Sequence, residues 1–166
     1  NCALGARGHI LLPPKDLFRD YIYQTVKHLK GRVPVYEITN EPNLYLSQEA
    51  YVTYLKEANA AIRKADPAAK IAGFCLTSDY GAAATPWMDK CAELGGLDYV
   101  DAVGFHPYEG RELGSIRPAD KYIADLRADM KKYGKPEMPL WNTEIYYLID
   151  QQVKHNSHEE SLIRPH

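Results

Sequence analysis

Two carboxylates set the chemical question. Glu41 closes the run Val35-Tyr36-Glu37-Ile38-Thr39-Asn40-Glu41-Pro42-Asn43, and Glu144 falls in Pro139-Leu140-Trp141-Asn142-Thr143-Glu144-Ile145-Tyr146, 144 − 41 = 103 residues later. Each follows a short stretch rich in β-branched and aromatic residues, the composition of a strand. Pro42 cannot continue a central ladder, so the first strand must stop with Asn40 and Glu41 side by side at its C-terminal end. A pair of carboxylates facing each other suits glycoside hydrolysis. One donates a proton to the leaving oxygen, while the other attacks the anomeric carbon or activates water. The two environments must differ, so that one group stays protonated and the other ionised. Asn40 beside Glu41, and Asn142 two residues before Glu144, supply neutral donors that can also grip a sugar hydroxyl. A single glutamate at a strand end is usually a solvated charge; the pairing is what points to chemistry.

The elements that must hold these residues follow from periodicity. Leu17, Phe18, Tyr21, Ile22, Thr25, Val26 and Leu29 recur at helical steps between Asp16 and Gly31. The Glu41 strand begins at Val33. Ser47 is a fitting N-cap for a second helix with Tyr51, Tyr54, Leu55, Ala58, Ile62 and Ala65 on its apolar face, ended by Pro67. Lys70 to Cys75 reads as a strand. Thr85-Pro86 opens a third helix that carries Trp87, Met88, Cys91 and Leu94 inward and closes at Gly95-Gly96. Tyr99 to Phe105 is the next strand, ending in His106-Pro107-Tyr108. A fourth helix runs from near Pro118 to Gly134, and the Glu144 strand follows. Ser157-His158-Glu159-Glu160 matches a capping box and predicts a fifth helix.

Strands alternating with helices predict a parallel sheet covered by helices, an α/β architecture. The helix-to-strand connections are short, and the strand-to-helix connections are longer and richer in polar residues. In βα folds function collects at the C-terminal ends of the strands, where such loops gather. Glu41, His106 and Glu144 all fall at that end. Glu37 alternates with Glu41 and is expected to face the interior as a structural carboxylate in need of a partner.

The chain has 166 residues, 45% hydrophobic and 25% charged, with net charge −2. That balance gives no basic footprint for nucleic acid and no polybasic patch for a membrane surface. No glycine-rich phosphate loop or G-x-S-x-G elbow occurs, and no run approaches a membrane span. His155, His158 and His166 match no zinc spacing, and no cofactor is implied. Thirteen tyrosines suit sugar binding, although most fall at helix-core positions. Cys2, Cys75 and Cys91 cannot form a closed disulfide framework; Cys75 and Cys91 read as small buried hydrophobes.

Tyr36-Glu37-Ile38-Thr39-Asn40-Glu41-Pro42-Asn43, Asp101-Ala102-Val103-Gly104-Phe105-His106-Pro107-Tyr108 and Trp141-Asn142-Thr143-Glu144 occur in an order that resembles clan A of the retaining glycoside hydrolases. The likeness is to families of the β-xylosidase and α-L-iduronidase type, with arabinofuranosidases as neighbours, and spans roughly residues 13 to 147. It implies a (β/α)8 TIM barrel whose fourth strand carries Glu41 as general acid/base and whose seventh carries Glu144 as nucleophile. It also implies Asn40, His106, Tyr108, Asn142 and Tyr146 as substrate-binding residues around an oligosaccharide or glycoside. Thr39 stands where such families often have tryptophan. A complete barrel of this kind takes about 250 residues. Residues 1–166 are therefore expected to be a partial barrel of about four parallel strands, roughly the fourth to the seventh. The remaining strands would come from a parent chain or from self-association. Two other readings stay open: a non-catalytic carbohydrate-binding or scaffold protein, and a metal-dependent hydrolase using Glu41, His106 and Glu144.

Overall fold

The computed structural model describes residues 12–77, 84–107 and 119–145. Among them, four strands form one parallel sheet in the order β1-β2-β3-β4, where β1 is Val35–Glu37, β2 Lys70–Thr77, β3 Ala102–His106 and β4 Leu140–Asn142. Helices α1 (Lys15–Leu29), α2 (Gln48–Ala65), α3 (Ala84–Glu93) and α4 (Ala119–Lys132) alternate with them. This is the strand–helix repeat of a partial TIM barrel. None of the described helices is long and apolar enough to cross a membrane.

The core lies between the sheet and the helices. Tyr51, Leu55 and Ile62 of α2, Met88 and Cys91 of α3, and Leu126 and Met130 of α4 meet Ile71, Phe74 and Leu76 of β2 and Val103 of β3. These are among the positions that helical periodicity singles out, but Leu17 and Tyr21 of α1 and Leu94, just past the end of α3, are exposed rather than inward. Ser47 caps α2 as its sequence requires, its hydroxyl accepting the Ala50 N–H at 3.2 Å. At the N-terminal end of the sheet, Arg63 donates to Asp101 Oδ2 at 2.6 Å and to the Ala69 carbonyl at 2.6 Å. Asp101 Oδ2 also accepts the Ile71 N–H at 2.8 Å, tying α2, β2 and the start of β3 together.

Several boundaries differ from the sequence reading. β1 is three residues long, begins at Val35 rather than Val33, and leaves Val35 37% exposed because it is an edge of the sheet. β2 runs on past Cys75 to Thr77. Tyr99 belongs to a 3-10 turn, Gly96–Tyr99, and β3 starts only at Ala102. Glu37 is exposed rather than buried, on the open inner face beside Cys75, whose thiol hydrogen-bonds it. The helix expected at Ser157 lies outside the described residues. Cys75 and Cys91 are buried free thiols, and burial pushes both well above their ordinary range.

One irregularity decides how the sheet meets its mouth. Register runs Ala72↔Ala102 and Gly73↔Val103, then resumes at Leu76↔Phe105 and Thr77↔His106. Phe74 and Cys75 therefore share the space opposite Gly104 alone, which is a β-bulge. Both adopt positive φ, 71° and 45°. Phe74 turns to the helices, with its ring 5.6 Å from that of Tyr51. Cys75 turns inward against Gly104, where an added Cβ would lie 2.8 Å from its Sγ. The extra residue reverses the alternation beyond it, so Leu76 packs in the helix-side core and Thr77 shares the inner face with His106.

Candidate active site

The Glu41 segment is built on that bulge. The ladder from β1 continues one residue past Glu37, where Ile38 N–H reaches the Ala72 carbonyl at 3.0 Å. The backbone then enters positive φ at Thr39 (64°) and Glu41 (47°). A β-branched residue in that region is costly, and such strain gathers at functional sites. Glu41 N–H donates to the Cys75 carbonyl at 3.0 Å, so the bulge itself supplies the acceptor that anchors this glutamate. Pro42 has no N–H to offer, and Asn43 takes over the pairing with its side chain. Its amide donates to the Thr77 carbonyl at 3.0 Å, and its oxygen accepts the Thr77 N–H at 3.2 Å. Tyr45 reaches back and donates its hydroxyl to the Asn40 carbonyl at 2.5 Å.

β3 delivers His106 to the same place. Its ring is fully buried, with Nδ1 3.0 Å from Glu41 Oε1 and Nε2 3.1 Å from Thr143 Oγ1. The Glu41 side chain keeps 17% of its surface exposed. Beyond β4, Thr143 N–H donates to the Phe105 carbonyl at 3.3 Å, which carries the strand pairing up to Glu144. One ligand atom from each of Glu41, His106 and Glu144 lies within 4.8 Å of the other two. Beneath them Tyr122 of α4 donates to the Leu76 carbonyl at 3.1 Å. Burial, and then the negative charge of Glu41, push that phenol well above its ordinary range.

The structure thus brings Glu41, His106 and Glu144 together at the C-terminal end of a parallel sheet. Asn40 lies next to Glu41, exposed at the end of β1. Asn142 is exposed and paired in register with Phe105, whereas Thr143 meets His106 on the inner face. Tyr108 and Tyr146 lie outside the described residues. Sequence reasoning passed over Thr143 and Asn43. Both stand inside the motifs quoted above, but only the strand register shows what their side chains reach. Chemically, the cluster offers two carboxylates close enough to act on one small group, with an imidazole holding one of them.

No known family's sequence profile matches the chain. No curated protein matches it either. Solved structures do. A GH39 β-xylosidase from Caulobacter crescentus superposes with a TM-score of 0.63 at 25% identity, over 81% of this chain and 30% of that one. A family 39 glycoside hydrolase from the gut symbiont Bacteroides cellulosilyticus gives 0.60 at 21% identity, over 84% and 32%. A monomeric β-xylosidase from Caulobacter crescentus gives 0.60 at 22% identity, over 80% and 31%. These neighbours are glycoside hydrolases, and the four strands match part of their barrel. The chain spans about a third of their length.

Proposed function

We propose that this chain is the central part of a retaining glycoside hydrolase that cleaves O-glycosidic bonds by double displacement. Glu144 is the nucleophile and Glu41 the general acid/base. The observation that carries the reading is the approach of the two carboxylates, oxygen to oxygen within 4.8 Å. Retaining enzymes hold their pair at about 5–5.5 Å, and inverting enzymes at about 6.5–9.5 Å to admit a water between them. The fold neighbours support the same class, and two of them are β-xylosidases, so β-xylosides are the first substrates to try.

In the first step Glu41 protonates the leaving oxygen while Glu144 attacks the anomeric carbon. In the second, Glu41 takes a proton from water as water releases the sugar from Glu144. Asn40, exposed next to Glu41 in the chain, holds a sugar hydroxyl in this reading. The remaining barrel strands come from a longer parent chain or from a second copy.

The test is made on the closed barrel. Product formed from a β-aryl glycoside, followed by NMR before mutarotation, should keep the β configuration. Glu144→Ala should lose turnover and regain it with azide, giving the α-glycosyl azide. A product of inverted configuration would overturn the retaining mechanism. A second reading, a metal-dependent hydrolase, draws on the same three donor atoms of Glu41, His106 and Glu144. Stoichiometric metal in the purified protein, with activity lost to chelators, would favour it instead.

A further inference from the structure

His106 is placed to act on Glu41, but what it can do depends on which ring nitrogen carries the proton. A neutral imidazole has one N–H and one acceptor nitrogen, and here both nitrogens are engaged, Nδ1 with Glu41 and Nε2 with Thr143. With the proton on Nδ1, His106 donates to Glu41 Oε1, and Nε2 accepts from the Thr143 hydroxyl. With the proton on Nε2, the Nδ1 lone pair would face the carboxylate whenever Glu41 is ionised, which is repulsive. With both nitrogens protonated, Nε2 would donate to Thr143 Oγ1, and the hydroxyl could not donate to the ring.

We infer that Thr143 is a positioning residue, whose hydroxyl donates to Nε2 and so holds His106 as the neutral Nδ1–H tautomer. This rests on the reading of Glu41 as acid/base. Such an enzyme needs Glu41 protonated in one half of the cycle and ionised in the other. A donor fixed on Oε1 serves both states. It leaves the mobile proton to Oε2, the oxygen that the His106 contact does not occupy. The tautomer of a functional histidine is set by the partner of its other nitrogen. Thr143 also immediately precedes Glu144 and is anchored by its N–H to the Phe105 carbonyl. The same short segment therefore supplies the nucleophile and orients the histidine that holds the acid.

The experiment has a spectroscopic arm and a kinetic arm, both on the complete barrel. Nitrogen-15 NMR of the His106 ring at the pH of maximal activity should give Nδ1 as protonated and Nε2 as an unprotonated, hydrogen-bonded nitrogen. Thr143→Val keeps the shape and removes the hydroxyl, so the Nε2 resonance should move downfield toward that of an unbonded acceptor. In the kinetic arm, Thr143→Val should lower kcat on a poor leaving group by roughly 10- to 100-fold. Activated aryl glycosides should be much less affected, KM should be little changed, and Thr143→Ser should restore both the rate and the resonance. A protonated Nε2 in the wild-type protein, or equal rates for Thr143→Val and wild type on both leaving groups, overturns the inference. The spectroscopic arm needs no turnover, so it decides the tautomer even if the glycosidase reading fails.

Discussion

Asn43 takes on with its side chain a pairing that Pro42 denies to the backbone. The two hydrogen bonds it makes to Thr77, at 3.0 and 3.2 Å, hold the Glu41 turn against β2. Each neutral hydrogen bond contributes about 0.5–1.5 kcal/mol net, so Asn43→Ala should cost about 1–3 kcal/mol. Chemical denaturation measures this, and an unchanged midpoint would show that the turn is held by other contacts. Asp129 gives a prediction of the opposite sign. Its Oδ2 is buried without a hydrogen-bond partner among the described residues. Burial first, and then the neighbouring Asp89, raise its carboxyl from 3.8 to about 6. A raised acid binds its proton more tightly in the folded state, so its contribution to stability is present at low pH. It falls as pH rises through the window from about 4 to about 6. Asp129→Asn should remove that decline and leave the protein more stable at neutral pH, as thermal melts across the window would record. A decline of the same slope in both proteins would contradict this.

At the scale of elements, the helices and the sheet polarity were legible because their signals are periodic and local. The apolar stripes of α2 and α4, the Ser47 cap and the glycines after the helices can each be read from the chain, whereas the α1 stripe is only partly right, since Leu17 and Tyr21 are exposed and Val26 is its buried member. The bulge in β2 was not. Phe74 and Cys75 are ordinary strand residues with no intrinsic liking for positive φ, and nothing in Gly73-Phe74-Cys75-Leu76 announces an extra residue. Only packing fixes it, through Tyr51 on one side and Gly104 on the other. The same limit hid Thr143, since its neighbour His106 comes from 37 residues away and depends on the register of β3 with β4. The Glu41–Glu144 pair was legible because strand ends and sheet polarity bring both to one rim without any knowledge of register. Gly104→Ala tests the bulge. The new Cβ would lie 2.8 Å from Cys75 Sγ and 3.2 Å from its Cα, and a backbone atom cannot give way as a side chain can. Overpacking of this kind costs about 1–3 kcal/mol. Because the Cys75 carbonyl holds Glu41 N–H, activity should fall with stability. A fully active Gly104→Ala would show that the bulge does not position Glu41.

At the scale of the whole molecule, four described strands make half of an eight-stranded barrel, with β1 and β4 as edges. Edge strands carry unpaired backbone groups that invite association, and catalysis suffers steeply when reacting groups are loosely held. Residues 1–166 expressed alone should therefore turn over glycosides poorly and associate with rising concentration, which light scattering beside a kinetic assay would reveal. A monodisperse monomer with ordinary glycosidase turnover would contradict that. The central claim, that Glu144 becomes bonded to the sugar while Glu41 handles the proton, is tested most directly by trapping the intermediate. A 2-deoxy-2-fluoro β-xyloside with an activated leaving group slows both steps, but its good leaving group lets the first proceed faster than the second. Mass spectrometry of the inactivated closed barrel should then show one fluoro-sugar per site, mapped to the peptide containing Glu144. Label on the Glu41 peptide, or turnover without any covalent adduct and with inverted product, would contradict the account.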